Sequence, residues 1–575
     1  MPRPRAVATC DCETDPFLHN RVGRPFIWGF YDGKDFKTFD TTDAFVDHVK
    51  DKRITLYAHN GGKFDFMYLL SHVSKIQRET KAQIINGRIV SMNMGAAELV
   101  DSYAAVPEAL GAIKKDEIAY WKLEKENREQ YRDEIIAYLR GDCVYLHELM
   151  IAYRKAAGMK KTIASNALAH AKKLGIQPGT TNHRFDSSYR PFFFGGRTQC
   201  FRPGTHENFS VFDIKSSYPN AMMHEHPTGN EMKRRDDFGH LTRDEITRSM
   251  VILKCYAHGC FPARTEGSEG LNFPKAYGEY RVTGWEYLAA KDLGLIDDEK
   301  LIEVRYTDSK ITFKDYVLHW YEYKNAHPKK IDPINYTIGK IMMNSLYGKM
   351  AQNPERYHDY KIVENGAPLP CNKPIADKDG VCKVCHFKEF EHGWLFYTTF
   401  EGVTFHRRDS LWKYRYRFGI EWEAKPLYKN VATGASITGF ARAYLLRAIH
   451  AVGEPHIIYC DTDSLVVDQF GDTSALTQSD KIGDWELEIN RARVGHFNGK
   501  KQYAIEVDGK APCTCQNRNG TCKRHKVVNK GARLTFQEME RMAAGEEILY
   551  EPAAPSFSLA RGIVFTDRLI RKTGN

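Results

Sequence analysis

The run from Ile457 to Val467 constrains this chain more than any other. Apolar strand formers flank Asp461-Thr462-Asp463-Ser464 on both sides, which reads as strand, tight acidic turn, strand. Two aspartates at one turn tip repel each other unless a cation sits between them. Aspartate is also a common turn residue, so the hairpin alone leaves a metal site and a plain turn both open.

The remaining composition narrows the class. A length of 575 residues suits three to five domains. The net charge of +10 fits a polyanion partner, because Lys and Arg release counterions from phosphates. No apolar run reaches the roughly 20 residues of a membrane span, and the start lacks an apolar signal segment. Thirteen cysteines include Cys10, Cys12, Cys255 and Cys460 in strand-like runs. This pattern predicts an intracellular, reducing setting without a disulfide framework.

A first acidic set lies near the N-terminus. Asp11 and Glu13 are two apart in a predicted strand and share a face. His59 and Asn60 follow a second strand, and Phe64-Asp65 opens an apolar helix. Tyr138 and Asp142 are four apart in a helix expected over 132–149, on one face. Each acid alone is an ordinary solvated carboxylate. Together, four carboxylates and a tyrosine suit hydrolysis with two metal ions about 3.5–4 Å apart, Tyr138 orienting the water.

Further along, Phe192-Phe193-Phe194-Gly195-Gly196 joins an aromatic run to a glycine pair that permits close backbone approach. In Val211–Pro219 a strand ends at Asp213, turns through Lys215-Ser216-Ser217-Tyr218 and breaks at proline. Backbone amides there can cradle phosphate oxygens. Lys340, Asn344 and Tyr347 are spaced for one helix face, suited to phosphate and a base.

These motifs, in this order, resemble family B DNA polymerases, and their run from about residue 11 to 503 is similar to the protein-primed branch of the phage phi-twenty-nine type. The N-terminal set matches the D-x-E, N-x(2,3)-F-D and Y-x(3)-D motifs of a proofreading exonuclease, with Asp11, Glu13, Asp65 and Asp142 as metal ligands. Thr14, His59, Asn60, Phe64 and Ser102 then match contacts to a single-stranded 3′ end. Phe193, Gly195 and Gly196 match a template-contacting Y-x-G-G motif, with Phe in place of Tyr. Asp213 and Asp463 would bind metals with Asp461 alongside as a catalytic carboxylate. Ser216, Ser217, Tyr218, Lys324, Lys340, Asn344 and Tyr347 would contact the nucleotide, Tyr218 as the gate against a ribose 2′-hydroxyl. Lys501 and Tyr503 match a K-x-Y motif at the primer end.

The resemblance implies a mixed α+β, multidomain fold: an RNase H-like exonuclease followed by a right-hand polymerase with two insertions. The expected boundaries are exonuclease 1–160, palm 161–224, insertion one 225–317, fingers 318–353, insertion two 354–430, palm 431–525 and thumb 526–575. A palm strand is expected to return near Ala432 to Ala443. Insertion one would contact a terminal protein and the primer; insertion two is either a strand-displacement clamp or a segment with another task. Implied cofactors are two Mg2+ per active site, or Mn2+. Implied partners are template and primer DNA, deoxynucleoside triphosphates and a terminal protein primer. A monomer in the host cytoplasm, with no membrane contact, is expected.

Two cysteine groups fall outside the resemblance. Cys371, Cys382 and Cys385 form one; Cys513, Cys515, Cys522 and His525 form the other. Both lie in polar, turn-rich stretches, whereas free cysteine favours burial. Their spacing suggests structural Zn2+. Two rival functions stay open: a family B polymerase using a nucleic-acid primer, and a nuclease or DNA-binding protein without synthesis.

Overall fold

In the computed structural model, two large sheets organise the chain, and their central strands carry the acidic residues. The structure describes residues 5–17, 23–76, 80–113, 118–264, 270–353, 358–364, 396–398, 403–408, 428–507, 522, 524–552, 555–558 and 562–572. In the first sheet, strand Ala6–Thr14 runs parallel to Ile54–Ala58, which runs parallel to Ala97–Asp101. Parallel strands are covered on both faces, and every residue of Ile54–Ala58 is buried. Pro25–Tyr31 and Phe36–Phe39 continue one side antiparallel. Helix Asp65–Ile76 supplies Phe66, Leu69, Leu70 and Val73 to the core on one face. Helix Arg132–Ala156 packs against Ala6–Thr14 and Pro25–Tyr31. It extends beyond the expected end at 149 because Met150 and Tyr153 continue the buried stripe of Leu146 and Leu149.

Strands of the second spacer, the expected insertion two, join this sheet. His358–Glu364 pairs with Thr80–Ile85, Val403–Arg408 pairs with His358–Glu364, and Phe396–Thr398 ends the row. The sheet therefore has ten described strands, and part of the expected insertion two is an extension of the N-terminal sheet.

The second sheet has the order His525–Asn529, Gln502–Glu506, Trp485–Gly499, Gly204–Ile214, Ser464–Val467, Ile457–Asp461, Thr198–Cys200. All its pairs are antiparallel. Strand His525–Asn529 lies across residue 526, the expected start of the thumb. The expected strand at Ala432 to Ala443 is instead the first half of a helix, Val431–Val452. Its β-branched residues and glycines mimic a strand locally. Asn430 caps it by accepting from Ala432 N and Thr433 N at 3.1 and 3.2 Å, and burial on nearly all sides overrides weak propensity.

Helices Lys314–Ala326 and Pro333–Asn344 form a pair. Gly339 lets them touch: a Cβ there would lie 2.9 Å from Lys324 Cα. The region 225–317 contributes a four-stranded sheet and helix Gly284–Asp292, which packs on Val431–Val452. Among the described residues no helix is long and apolar enough to cross a membrane, and the described cysteines are free thiols, all buried except the half-buried Cys522.

Candidate active sites

Asp213 sits near the end of the central strand Gly204–Ile214, opposite Ser464 on one side and Glu486 on the other. The acidic hairpin meets it directly, since Ile214 N donates to Asp463 O at 2.7 Å. Thr462 takes a left-handed φ of 59° at the turn tip, and Thr462 N donates to Arg197 O at 2.6 Å. The three aspartates are not equivalent. Lys501 Nζ lies 2.6 Å from Asp461, and Thr198 Oγ1 donates to the same carboxylate at 3.0 Å. Burial, then the Asp463 and Glu488 charges, push Asp213 up to about 7. Burial, then Asp461, push Asp463 up to about 6. Asp213 Oδ1 is buried without a hydrogen-bond partner. This oxygen-only pair is strained as two anions and fits a hard divalent cation.

Of the glycine pair, Gly196 has a steric reason. A Cβ on Gly196 would lie 2.5 Å from Thr462 Oγ1, so the hairpin tip packs on the bare backbone. Arg442 Nη1 donates to Phe194 O at 2.7 Å and to Gly195 O at 2.8 Å. Its guanidinium pairs with Glu286 at 2.7 Å, both side chains being 2% exposed. The segment is thus held from beneath by an arginine whose charge is matched, while Phe193 stays half-buried and Gly195 exposed. We expect Gly196→Ala to displace Asp461 and Asp463 and cut primer extension by about 10²-fold. Degradation of single-stranded DNA should be unchanged; both rates can be read on one gel.

The helix face proposed for Lys340, Asn344 and Tyr347 is corrected by the structure. The helix ends at Asn344, and Tyr347 begins a separate short helix, Tyr347–Met350. The Ser345 hydroxyl bonds back to Ile341 O, which competes with helix continuation. Tyr347 nevertheless reaches the site, stacking on Tyr218 with centroids 4.1 Å apart. Asn344 Nδ2 turns back to Lys340 O at 2.8 Å. Lys340 Nζ lies 3.4 Å from Glu108, and Lys324 Nζ lies 4.7 Å over the Tyr321 ring. Ser216 takes a left-handed φ of 58°, and Ser217 is buried. Tyr503 packs against Tyr459 at 5.0 Å, whose hydroxyl accepts from Lys501 N at 2.9 Å.

The N-terminal acids form a second buried group. Asp11 and Glu13 lie on one strand next to Gly29 and Ile27, and Asp65 is the first residue of its helix. Asn60, with φ 61°, turns the chain into that helix. Gly62 is required there, because a Cβ would sit 2.0 Å from Ile89 O. Burial, then Asp142, push Glu13 up to about 8. Burial pushes Asp65 up to about 6, and burial with Asp65 and Glu13 raises Asp11 well above its ordinary value. Asp65 Oδ1 is buried without a partner. Tyr138 hydrogen-bonds Asp142, and burial with that charge raises its phenol.

His59 is set by two contacts, Nδ1 to Ser102 Oγ at 3.0 Å and Nε2 to Glu108 O at 2.9 Å. The carbonyl only accepts, so Nε2 carries the proton; burial pushes the ring down to about 4. Ser102 is fully buried and also reaches Ala58 O at 3.2 Å. It supports His59 and offers no surface to DNA, which corrects its expected role as a direct contact. Thr14 is buried at a bulge after Glu13, whereas Asn60 is exposed and Phe64 half-buried.

Asp213, Asp463, Asp11, Glu13 and Asp65 share a sign. Raised values mean their stabilising contribution is complete below the unfolded value near 4 and is lost as pH rises through about 6 to 8. Metal-free protein should therefore lose Tm across that window, Mg2+ should restore it at pH 8, and Asp213→Asn should raise metal-free Tm at pH 8 but not at pH 4. Scanning fluorimetry checks all three.

Sequence reading missed Glu486, Glu488 and Lys526. Glu486 and Glu488 alternate on the strand beside Asp213, and Lys526 holds Glu488 at 2.7 Å. The only sequence signal was the i, i+2 acid pair. Of the suggested zinc groups, Cys371, Cys382, Cys385, Cys513 and Cys515 lie outside the described residues. His525 N donates to Cys522 O at 3.2 Å, and the His525 ring stacks on Phe536 at 4.3 Å. Among the described residues no group of three or more His, Cys, Asp or Glu donors is already gathered around one point.

Residues 112–379 match the family "DNA polymerase type B, organellar and viral". The DNA-directed DNA polymerase of Enterobacteria phage PRD1 is 32% identical over 99% of this chain and 98% of its own length. The DNA polymerase of Bacillus phage phi29 is 24% identical over 88% of each. The solved structure of phi29 DNA polymerase with primer-template DNA and incoming nucleotide superposes with a TM-score of 0.69 at 19% identity, covering 99% of this chain and all of that one.

Proposed function

Because the chain belongs to the type B DNA polymerases of viruses and organelles, we infer that it copies DNA at Asp213 and Asp463 and proofreads at Asp11, Glu13, Asp65 and Asp142. The observation that carries this reading is the pair of separate sites, each with a buried carboxylate oxygen lacking a partner. Asp213 and Asp463 would hold two Mg2+, or Mn2+, in one site; the N-terminal four would hold two in the other. When bound, such ions lower the pKa of a primer hydroxyl or water and take up charge on the leaving group.

The chain's own residues do the rest. Lys501 neutralises Asp461 at the hairpin tip and lies where a primer end would enter. Lys324 and Lys340 meet the triphosphate, and the backbone at 214–217 lies beneath it. Tyr218, stacked on Tyr347, closes the space beside a sugar 2′ position. In the other site Tyr138, bonded to Asp142, orients the attacking water, while His59, Asn60 and Phe64 grip the single-stranded 3′ end.

The domains would divide at the expected boundaries. Residues 225–317 would contact the primer duplex and a terminal protein whose hydroxyl starts synthesis. Residues 354–430 would guide the non-template strand, a role supported by their strands on the edge of the exonuclease sheet. Structural Zn2+ at the two cysteine groups would staple loops that lack a core. Templated incorporation tests the main reading. On a primer whose next template base is dA, Mg2+ should give addition of dTTP alone; addition of all four nucleotides equally, or of none, would refute it.

A further inference from the structure

Three lysines surround the place assigned to the triphosphate, and only two are accounted for. Lys215 stands two residues after Asp213, in the turn that leads to Ser216, Ser217 and Tyr218. Its backbone is fixed on both sides: Lys215 N donates to Asp484 O at 2.8 Å, and Gly483 N donates to Lys215 O at 2.8 Å. Its ammonium, by contrast, has a replaceable partner. Nζ lies 2.7 Å from Asp480, whose side chain is fully exposed. Tyr321 of the helix Lys314–Ala326 donates its hydroxyl to Asp480 O at 2.9 Å, and the Tyr321 ring lies under Lys324 Nζ. Lys215 and Lys324 thus come from two different elements to the same Tyr321–Asp480 contact.

Resting on the polymerase reading above, we propose that Lys215 is a third lysine ligand of the incoming nucleotide's β- and γ-phosphates, held by Asp480 until the nucleotide arrives. Lys340 is held the same way by Glu108. Burial and the neighbouring Lys215 and Lys340 charges keep the Lys324 ammonium below the ordinary lysine value, as expected where cations gather without their anion. An exposed ion pair with one carboxylate is weak, so exchange of Asp480 for a polyanionic triphosphate is favourable. A structural role for the pair makes a different demand: it would need Asp480 as much as Lys215.

Primer extension with saturating DNA separates the two. Lys215→Ala should raise KM for each dNTP by about tenfold with a smaller change in kcat, and weaken inhibition by inorganic tripolyphosphate in proportion. Lys215→Arg should recover most of both. Asp480→Asn should leave KM at or below the wild-type value. Degradation of single-stranded DNA, which uses the other site, should not change in any variant and reports correct folding. Unchanged KM and tripolyphosphate inhibition in Lys215→Ala would overturn the proposal, as would an Asp480→Asn defect equal to that of Lys215→Ala. Templated incorporation by the wild type in the same assay carries the polymerase reading separately, so the failure of one does not imply the failure of the other.

Discussion

Replacing Asp463 by Ala is expected to lower nucleotide incorporation by at least about 10³-fold, with 3′ degradation within twofold of wild type. The reason lies in the inequality of the three aspartates. Asp461 already has Lys501 and Thr198 as partners. Burial and the Asp463 charge raise Asp213 to about 7, and burial and the Asp461 charge raise Asp463 to about 6. On the proposed reading, removing Asp463 would delete a ligand for the ions that stabilise the phosphoryl transition state. The N-terminal site is built on another sheet, so its chemistry is untouched. Single-turnover extension and degradation of one labelled primer measure both rates. Incorporation surviving within tenfold would remove Asp463 from the ligand set.

The second large effect is the mirror image. Asp65→Ala should lower degradation of single-stranded DNA by at least about 10³-fold and leave extension rates intact. Asp65 has the most buried carboxylate of the four at the start of its helix, with Oδ1 lacking a partner. Its loss also relieves the crowding that raises Asp11, so metal-free Asp65→Ala should not be less stable at pH 8 through charge effects. The functional signature is accumulation of mismatched primer ends: the variant should extend a paired primer normally and fail to excise a mispaired terminal base. Excision at the wild-type rate would take Asp65 out of the proofreading site.

Much of the site was legible because its residues fall in short, local patterns. Asp461 and Asp463 flank a turn whose strands are apolar on both sides, and Asp11 and Glu13 alternate on one strand. What was not legible depends on long-range packing. The helix Val431–Val452 read as a strand because its β-branched residues and glycines carry no amphipathic period; burial against the second sheet and helix Gly284–Asp292 decides its state. Tyr347 was placed on the helix of Lys340 by spacing, yet the back-bonding of Ser345 ends that helix first. Ser102 was read as a DNA contact from its motif, while its burial beneath His59 comes from residues far apart in sequence. The attachment of the second spacer to the N-terminal sheet, through His358–Glu364 beside Thr80–Ile85, had no sequence signal at all.

One experiment reaches the central claim, that a single chain holds two opposed metal-dependent sites. Purified protein is mixed with Mg2+ and a 5′-labelled primer on a gapped template, with and without the four dNTPs, and with a chelator control. The account predicts shortening of the primer without nucleotides, lengthening with them, and neither after chelation. Shortening under both conditions would contradict the synthetic site, and lengthening with no shortening in the absence of nucleotides would contradict the proofreading site.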